Sequence, residues 1–192
     1  MADHQDSLSF HSIDALRAAV CAGQAANDTQ FADGVYFSWD TEGGDAQIAY
    51  ESPDWAVLSV DWRVTGSPTW LSLNVSMGGG VLNDGDVIVL TAEGYADSAV
   101  SLPVVLRCDI AGEMLDVGLE DALEFNPVNG ICTAMRTIDP VDGIGGKHGF
   151  HTLIMHLPMQ DMTMTLRNLR LSIVPAAQGL RSSPVTLSSL AN

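Results

Sequence analysis

The sequence predicts an all-β sandwich of two antiparallel sheets with one short N-terminal helix. Apolar and polar residues alternate through most of the chain between residues 34 and 174, as they do in strands with one buried face. Turn-forming clusters rich in Gly, Pro, Asn and Asp separate the alternating stretches. The pattern gives about eight or nine strands, a number typical of β-sandwiches and barrels.

The stretch 55–90 shows the alternation most clearly and divides two tryptophans between opposite faces. Trp62 shares the apolar parity of residues 58–64, so we expect it in the core. Trp70 begins a strand on its polar parity, so we expect it on the other face. In that strand the apolar set is Leu71, Leu73, Val75 and Met77, and the polar set is Trp70, Ser72, Asn74 and Ser76.

The chain divides into an N-terminal segment (1–33), a sandwich domain (34–174) and a C-terminal tail (175–192). In the first segment Ser12 can cap a helix over 12–23, whose apolar residues are spaced three and four apart. The tail has no strong pattern, and it could be flexible or lie across a neighbour.

Three local features interrupt the strand pattern. The glycines at 78–80 predict a loop, and the acidic stretch 112–129 predicts a long connection, with one or two helical turns near 119–125. Near the end of the domain the apolar parity switches, which requires an extra residue. We therefore predict a β-bulge near Arg167 and Asn168.

Composition limits the partners that this chain is expected to bind. Eight basic against 24 acidic residues give a formal net charge of −16, which repels nucleic acid and anionic membranes. The N-terminus lacks a signal-peptide pattern, so we expect a soluble cytoplasmic protein, unless it is secreted by a route that needs no signal peptide. The few cysteines should be free thiols, although Cys108 and Cys132 could pair if their strands are neighbours.

The strand count and order, and the closing stretch MTLRNLRL at 164–171, resemble the jelly-roll β-sandwich of galactose-binding-like domains and carbohydrate-binding modules. The resemblance covers residues 34–174. It implies a ligand site on the concave sheet or in the loops at one end, built from aromatic platforms and hydrogen-bonding side chains. It also implies a structural calcium ion.

The residues themselves point to a candidate binding face that contains Trp70, Ser72, Asn74 and Arg107. An indole presents a flat apolar surface to a sugar ring, while an amide and a guanidinium bond its hydroxyls. All four residues lie on the polar parity of strands that could be neighbours. The alternative is that the N-terminal helix or another subunit covers this face.

Acidic loops are the candidate metal sites. Asp40, Glu42 and Asp45, or Asp84 and Asp86, supply the oxygen ligands that calcium takes, although solvated turns explain them equally well. We expect no other cofactor. His151 and His156 have opposite parity and should not converge on one metal ion.

Three functions remain after these considerations. The leading hypothesis is non-catalytic carbohydrate binding. The second is a structural, homo-oligomerising or protein-interaction domain. The third is a sugar-active hydrolase or lyase, since paired carboxylates or an Arg/His pair could converge in the fold, although no G-x-S-x-G motif is present.

Overall fold

The computed structural model describes residues 11–178, which form two six-stranded antiparallel sheets, a two-stranded sheet and one α-helix. No described helix is long and apolar enough to cross a membrane. The elements are α1 (His11–Ala18), β1 (Ala22–Gln24), β2 (Gln30–Ala32), β3 (Val35–Trp39), β4 (Gly44–Glu51), β5 (Leu58–Gly66), β6 (Leu71–Leu82), β7 (Val87–Ala96), β8 (Val100–Leu102), β9 (Val104–Ile110), β10 (Glu113–Gly118), β11 (Leu123–Phe125), β12 (Gly130–Thr137), β13 (Lys147–His156), β14 (Met162–Val174), and the 3-10 helices Pro140–Asp142 and Ala176–Gln178.

The two large sheets form a jelly-roll sandwich, which confirms the predicted fold class. Sheet 1 has the strand order β1-β4-β5-β14-β7-β12, and sheet 2 has the order β10-β9-β13-β6-β3-β2. β8 and β11 pair separately. The chain passes repeatedly from one sheet to the other, for example between β6 and β7 and between β13 and β14, so strands distant in sequence become neighbours.

The core lies between the inner faces of the sheets, where the alternating residues meet. Trp62 is fully buried, as its parity predicts, and its Nε1 donates a hydrogen bond to Pro158 O at 3.2 Å. Burying each large apolar side chain contributes about 1.5–3 kcal/mol, so this interface supplies the main favourable term in folding.

A buried polar pair interrupts the apolar core of sheet 2. His151 Nδ1 lies 3.1 Å from Cys108 Sγ, and His151 Nε2 lies 3.2 Å from Gly80 O. Because a carbonyl only accepts, Nε2 carries the proton and Nδ1 accepts from the thiol. Burial raises the pKa of Cys108 to about 12 and lowers the pKa of His151, so both groups are neutral.

The N-terminal part of the chain differs from the prediction. The helix ends at Ala18 instead of continuing to Gly23, and Ser12 is a buried residue within it instead of its cap. Ala22–Gln24 forms β1, which pairs with β4, and Gln30–Ala32 forms β2. The sheets therefore begin before the predicted boundary at residue 34. Only 175–178 of the predicted tail lie within the described residues.

Two predicted loops are strands in the structure. The glycines at 78–80 lie inside β6 and pair with β13, with a register shift between His151 and Thr152. The acidic stretch 112–129 contains β10 and β11. Its acidic residues obscured the alternation of Leu115 and Val117, which pack against or within the core.

The predicted bulge is confirmed, because the β14–β7 register shifts between Leu166 and Asn168. Leu166 and Leu169 are both buried, which leaves the two residues between them off the core face. Cys108 and Cys132 do not pair. They lie in different sheets, and all three cysteines are free.

Candidate functional site

The outer face of sheet 2 carries a cleft of about 690 Å³, which we call the sheet-2 cleft. All four residues predicted for ligand binding, Trp70, Ser72, Asn74 and Arg107, line it. Helix α1 contributes no lining residue, so the helix does not cover this cleft. A volume of this size lies in the range typical of small-molecule sites.

Strand register explains why residues so distant in sequence meet here. In β6, Asn74 lies opposite Tyr36 of β3 and Ile154 of β13. In β9, Arg107 lies opposite Thr152 of β13. Neighbouring strands are about 4.8 Å apart, so the outward side chains of β3, β6, β13 and β9 form one continuous surface.

Trp70 stands at one end of the cleft with 41% of its surface exposed. Its carbonyl accepts a hydrogen bond from Asp40 N at 3.1 Å, and the Asp40 side chain holds Thr69 next to it. Asp40 Oδ2 accepts from Thr69 N at 2.9 Å and from Thr69 Oγ1 at 2.8 Å. The loop that contains Asp40 therefore fixes the backbone that presents the indole.

Ser72 and Asn74 form the floor of the cleft, with only 3% and 4% of their surfaces exposed. Asn74 Nδ2 donates to Ser72 Oγ at 3.1 Å, and Ser72 Oγ donates to Ser38 O at 3.3 Å. This chain of hydrogen bonds fixes the orientation of both side chains. It gives the cleft a rigid polar floor.

Arg107 is held by Asp116 of the adjacent strand β10. Nε donates to Oδ1 at 2.8 Å and Nη2 donates to Oδ2 at 2.7 Å. These bonds are the chief cause of the raised pKa of Arg107 and of the lowered pKa of Asp116. A guanidinium has five N–H groups, so three remain for a ligand after this bidentate contact.

Further lining residues were not predicted from the sequence, among them Asp28, Tyr36, Phe150 and His156. Burial, followed by the charge of Arg107, lowers the pKa of His156, while burial, followed by Asp28, raises the pKa of Tyr36. At neutral pH the cleft therefore presents a neutral imidazole and a protonated phenol. The period-two pattern of β3 and β13 could have identified Tyr36 and His156. Asp28 lies in a loop and left no such signal.

In the acidic loop that is the candidate calcium site, carboxylates accept hydrogen bonds from the backbone and from Thr69. Both oxygens of Asp40 already accept hydrogen bonds, Oδ1 from Glu42 N and Gly43 N and Oδ2 from Thr69. Asp45 Oδ1 accepts from Ala46 N. Within residues 11–178, no group of three or more His, Cys, Asp or Glu side chains is placed to hold a metal ion.

In the alternative pair, Asp84 and Asp86, the second carboxylate makes similar hydrogen bonds. Asp86 is buried, and its carboxylate accepts from Asn83 N at 2.8 Å and Ala176 N at 2.9 Å. Its oxygens link the β6–β7 turn to the chain that follows β14. These contacts assign Asp86 a structural role.

Comparison with known proteins supports the fold. The chain is similar to a cyclase from Fischerella sp. TAU solved with 4-(1H-indol-3-yl)butan-2-one, at a TM-score of 0.50 and 13% identity, over 84% of this chain and 94% of that one. It is also similar to a family 11 carbohydrate-binding module from Clostridium thermocellum (TM-score 0.48, 9% identity, 80% and 96% covered). A third similar structure is the CBM22-1 xylan-binding domain from Paenibacillus barcinonensis Xyn10C (TM-score 0.47, 10% identity, 82% and 99% covered).

The strand order, together with the likeness at a TM-score of 0.50, defines the class of the protein as a jelly-roll β-sandwich, as the sequence pattern predicted. No family model and no curated protein sequence matches the chain. The similar structures include both binding modules and a cyclase, and one fold supports many functions. The fold alone therefore does not define the function, which depends on the chemistry of the cleft.

Proposed function

We propose that the sheet-2 cleft binds a neutral carbohydrate without catalysing a reaction. The observation that carries this proposal is an exposed indole, Trp70, beside a fixed polar floor of Ser72 and Asn74. A sugar has apolar C–H faces and a rim of hydroxyls, and this pairing of surfaces matches both parts.

The charges in the cleft favour a neutral ligand over an acidic one. Asp116 offsets the charge of Arg107, and Asp28 and Asp109 add two further carboxylates to the lining. The imidazole of His156 adds no positive charge, because its pKa is lowered. An anionic sugar would meet repulsion here, whereas hydroxyl groups can bond to both the guanidinium and the carboxylates.

The experiment is a glycan array followed by calorimetric titration of the sugars that bind. Trp70→Ala should weaken binding about tenfold or more, since stacking on an aromatic ring and its buried area are lost. The matched control is Ile131→Ala, which removes an exposed apolar side chain from sheet 1, away from the cleft. No heat with any neutral sugar, or equal affinities in wild type and Trp70→Ala, would contradict the proposal.

A sugar-active hydrolase or lyase is a second candidate, favoured by one observation. Arg107, His156 and Tyr36 line the same cleft, where a neutral imidazole can accept a proton and a phenol can donate one. Incubating the protein with each bound oligosaccharide and separating the products distinguishes the two functions. Unchanged sugar supports binding alone, and shortened or unsaturated products support catalysis.

A structural or oligomerising role would use the same face differently. If a second copy covered Trp70, the protein would be a dimer and sugars would not reach the cleft. Light scattering at micromolar concentration, with and without a bound sugar, separates the roles. A monomer that stays monomeric with sugar bound agrees with the proposed function.

A further inference from the structure

A second cleft, of about 1030 Å³, lies against the outer face of sheet 1 and is called here the sheet-1 cleft. Its walls are α1, the turn between β4 and β5, and the bulged part of β14. It shares no lining residue with the sheet-2 cleft. Three arginines line it, Arg17, Arg167 and Arg170, in a chain with only eight basic residues. Two aspartates, Asp14 and Asp54, line it as well. Arg17 pairs with Asp14, so Arg167 and Arg170 face one further carboxylate.

Two arginines of this cleft, Arg167 and Arg170, differ from the other described arginines in their partners. Arg17 Nη1 lies 3.4 Å from Asp14 Oδ1. Arg63, Arg107 and Arg136 each lie within ion-pair distance of an aspartate. Within the described part of the chain, neither Arg167 nor Arg170 makes an ion pair or a side-chain hydrogen bond. In a protein of net charge −16, two unpaired guanidinium groups in one cleft are available to an external anion.

The β-bulge is the reason that these side chains reach the cleft. Leu166 and Leu169 are both buried, so the two intervening residues, Arg167 and Asn168, leave the core side. Beyond the bulge, Arg170 lies opposite Thr91, which also lines the cleft. The extra residue thus places two arginines on the outer face within one short segment.

Hydrogen bonds to the bulged part of β14 also hold the other two walls of the cleft, α1 and the turn between β4 and β5. Arg17 Nη2 donates to Leu169 O and, at 3.3 Å, to Asn168 Oδ1, which ties α1 to β14. Val57 N donates to Leu166 O at 2.9 Å, which ties the turn before β5 to the same strand. Arg17 is therefore a positioning residue. These hydrogen bonds join the three walls of the cleft.

Trp55 adds an aromatic surface to this cleft, with 54% of its surface exposed. We propose that the sheet-1 cleft binds a small organic oxyanion attached to a flat ring. Arg167 and Arg170 bond the oxyanion, because a guanidinium matches the oxygen geometry of phosphate, sulfate or carboxylate. Trp55 stacks on the ring. The site is separate from the sheet-2 cleft and does not depend on the function proposed for it.

The test is calorimetric titration with three probes: phenyl phosphate, inorganic phosphate and phenol. Phenyl phosphate should bind most tightly, because it alone offers both the charge and the ring. Added salt should weaken it. Arg167→Gln and Arg170→Gln should each lower its affinity about tenfold, as expected when charge-assisted bonds are lost. Trp55→Ala should weaken phenyl phosphate and leave inorganic phosphate unchanged.

The matched control is Arg63→Gln, which removes the same charge from sheet 1 outside the cleft. Its affinity for phenyl phosphate should stay within about twofold of wild type. The proposal is overturned if phenyl phosphate gives no saturable heat, if Arg63→Gln loses as much affinity as Arg167→Gln, or if Trp55→Ala binds phenyl phosphate as wild type does.

Discussion

Arg107 and Asp116 face each other across β9 and β10 and form a bidentate pair, with Nε to Oδ1 at 2.8 Å and Nη2 to Oδ2 at 2.7 Å. About half of each side chain is exposed, so the pair adds little to the stability of the fold. Its main consequence is for binding, because Asp116 neutralises the guanidinium at the wall of the sheet-2 cleft. In the proposed binding site, this pairing therefore disfavours acidic ligands.

Removing the Asp116 carboxylate, which pairs with Arg107, should make the sheet-2 cleft bind acidic ligands more tightly. In Asp116→Asn we expect affinity for a uronic acid oligomer to rise about tenfold, while the free energy of unfolding changes by less than about 1 kcal/mol. Calorimetry and urea denaturation measure the two quantities. The control is Asp109→Asn, which removes an equal charge from the same cleft without freeing Arg107. An equal gain in both variants would show that net charge alone is responsible.

The His151–Cys108 pair should make stability depend on pH. Burial lowers the pKa of His151 in the folded protein, so below about pH 6.5 the unfolded chain binds more protons than the folded one. The free energy of unfolding is therefore not reduced by His151 above that pH, and it decreases as the pH falls below it. His156 acts in the same direction.

Urea denaturation between about pH 7.5 and pH 5 tests this, since the carboxylates Asp40 and Asp116, whose pKa values are lowered, stay ionised there. His151→Gln should flatten the pH dependence of the free energy of unfolding. An unchanged slope in that variant would mean that His151 is not the responsible group. An NMR titration of the His151 ring in wild type gives an independent check.

Asp40 should contribute stability through its hydrogen bonds and without calcium. The bonds from Thr69, Gly43 and Glu42 lower the pKa of Asp40 to about 2, so its contribution is present above about pH 3.8 and is lost as pH falls towards 2. Asp40→Ala should lower the unfolding midpoint and weaken sugar binding, because Trp70 loses its support. Asp45→Ala is the control. The unfolding midpoint of the wild-type protein should be the same with calcium and with a chelator. A higher midpoint with calcium would contradict a calcium-independent role for Asp40.

Gly94 should tolerate no side chain. A Cβ at this position of β7 would lie 2.2 Å from Thr165 O and 3.2 Å from Leu166 Cα, beside the bulge. Gly94→Ala should cost about 1–3 kcal/mol of unfolding free energy by urea denaturation. The control is Gly118→Ala, where a Cβ has nothing within 4 Å. Its effect should stay within about 0.5 kcal/mol, and similar losses in both variants would contradict the packing argument.

Most of the fold was readable because alternation is a local property of the chain. Parity separated Trp62 from Trp70 and located the bulge at 167–168, since adjacent side chains of a strand point to opposite faces. The same reasoning failed at 78–80 and 112–129. In β6 the pairing with β13 overrides the weak strand preference of glycine, and in β10 and β11 acidic residues concealed the alternation.

The candidate site was predictable in part for the same reason. Ser72 and Asn74 lie in β6 and Trp70 directly precedes it, so their common face follows from sequence spacing alone. Arg107 joins them only because β13 lies between β6 and β9 and aligns all three strands. Asp28 enters from a loop, and its approach to Ser38 depends on the path of the chain before β3.

By itself the sequence determined the fold class, the face to which most strand residues belong, and the position of the bulge. Only the tertiary structure decided which strands are neighbours, and with that the pairing of Arg107 with Asp116 and the grouping of Arg17 with Arg167 and Arg170. The physical reason is that side-chain direction follows from the local backbone. Strand order follows instead from long-range hydrogen bonding and packing, which no local pattern records.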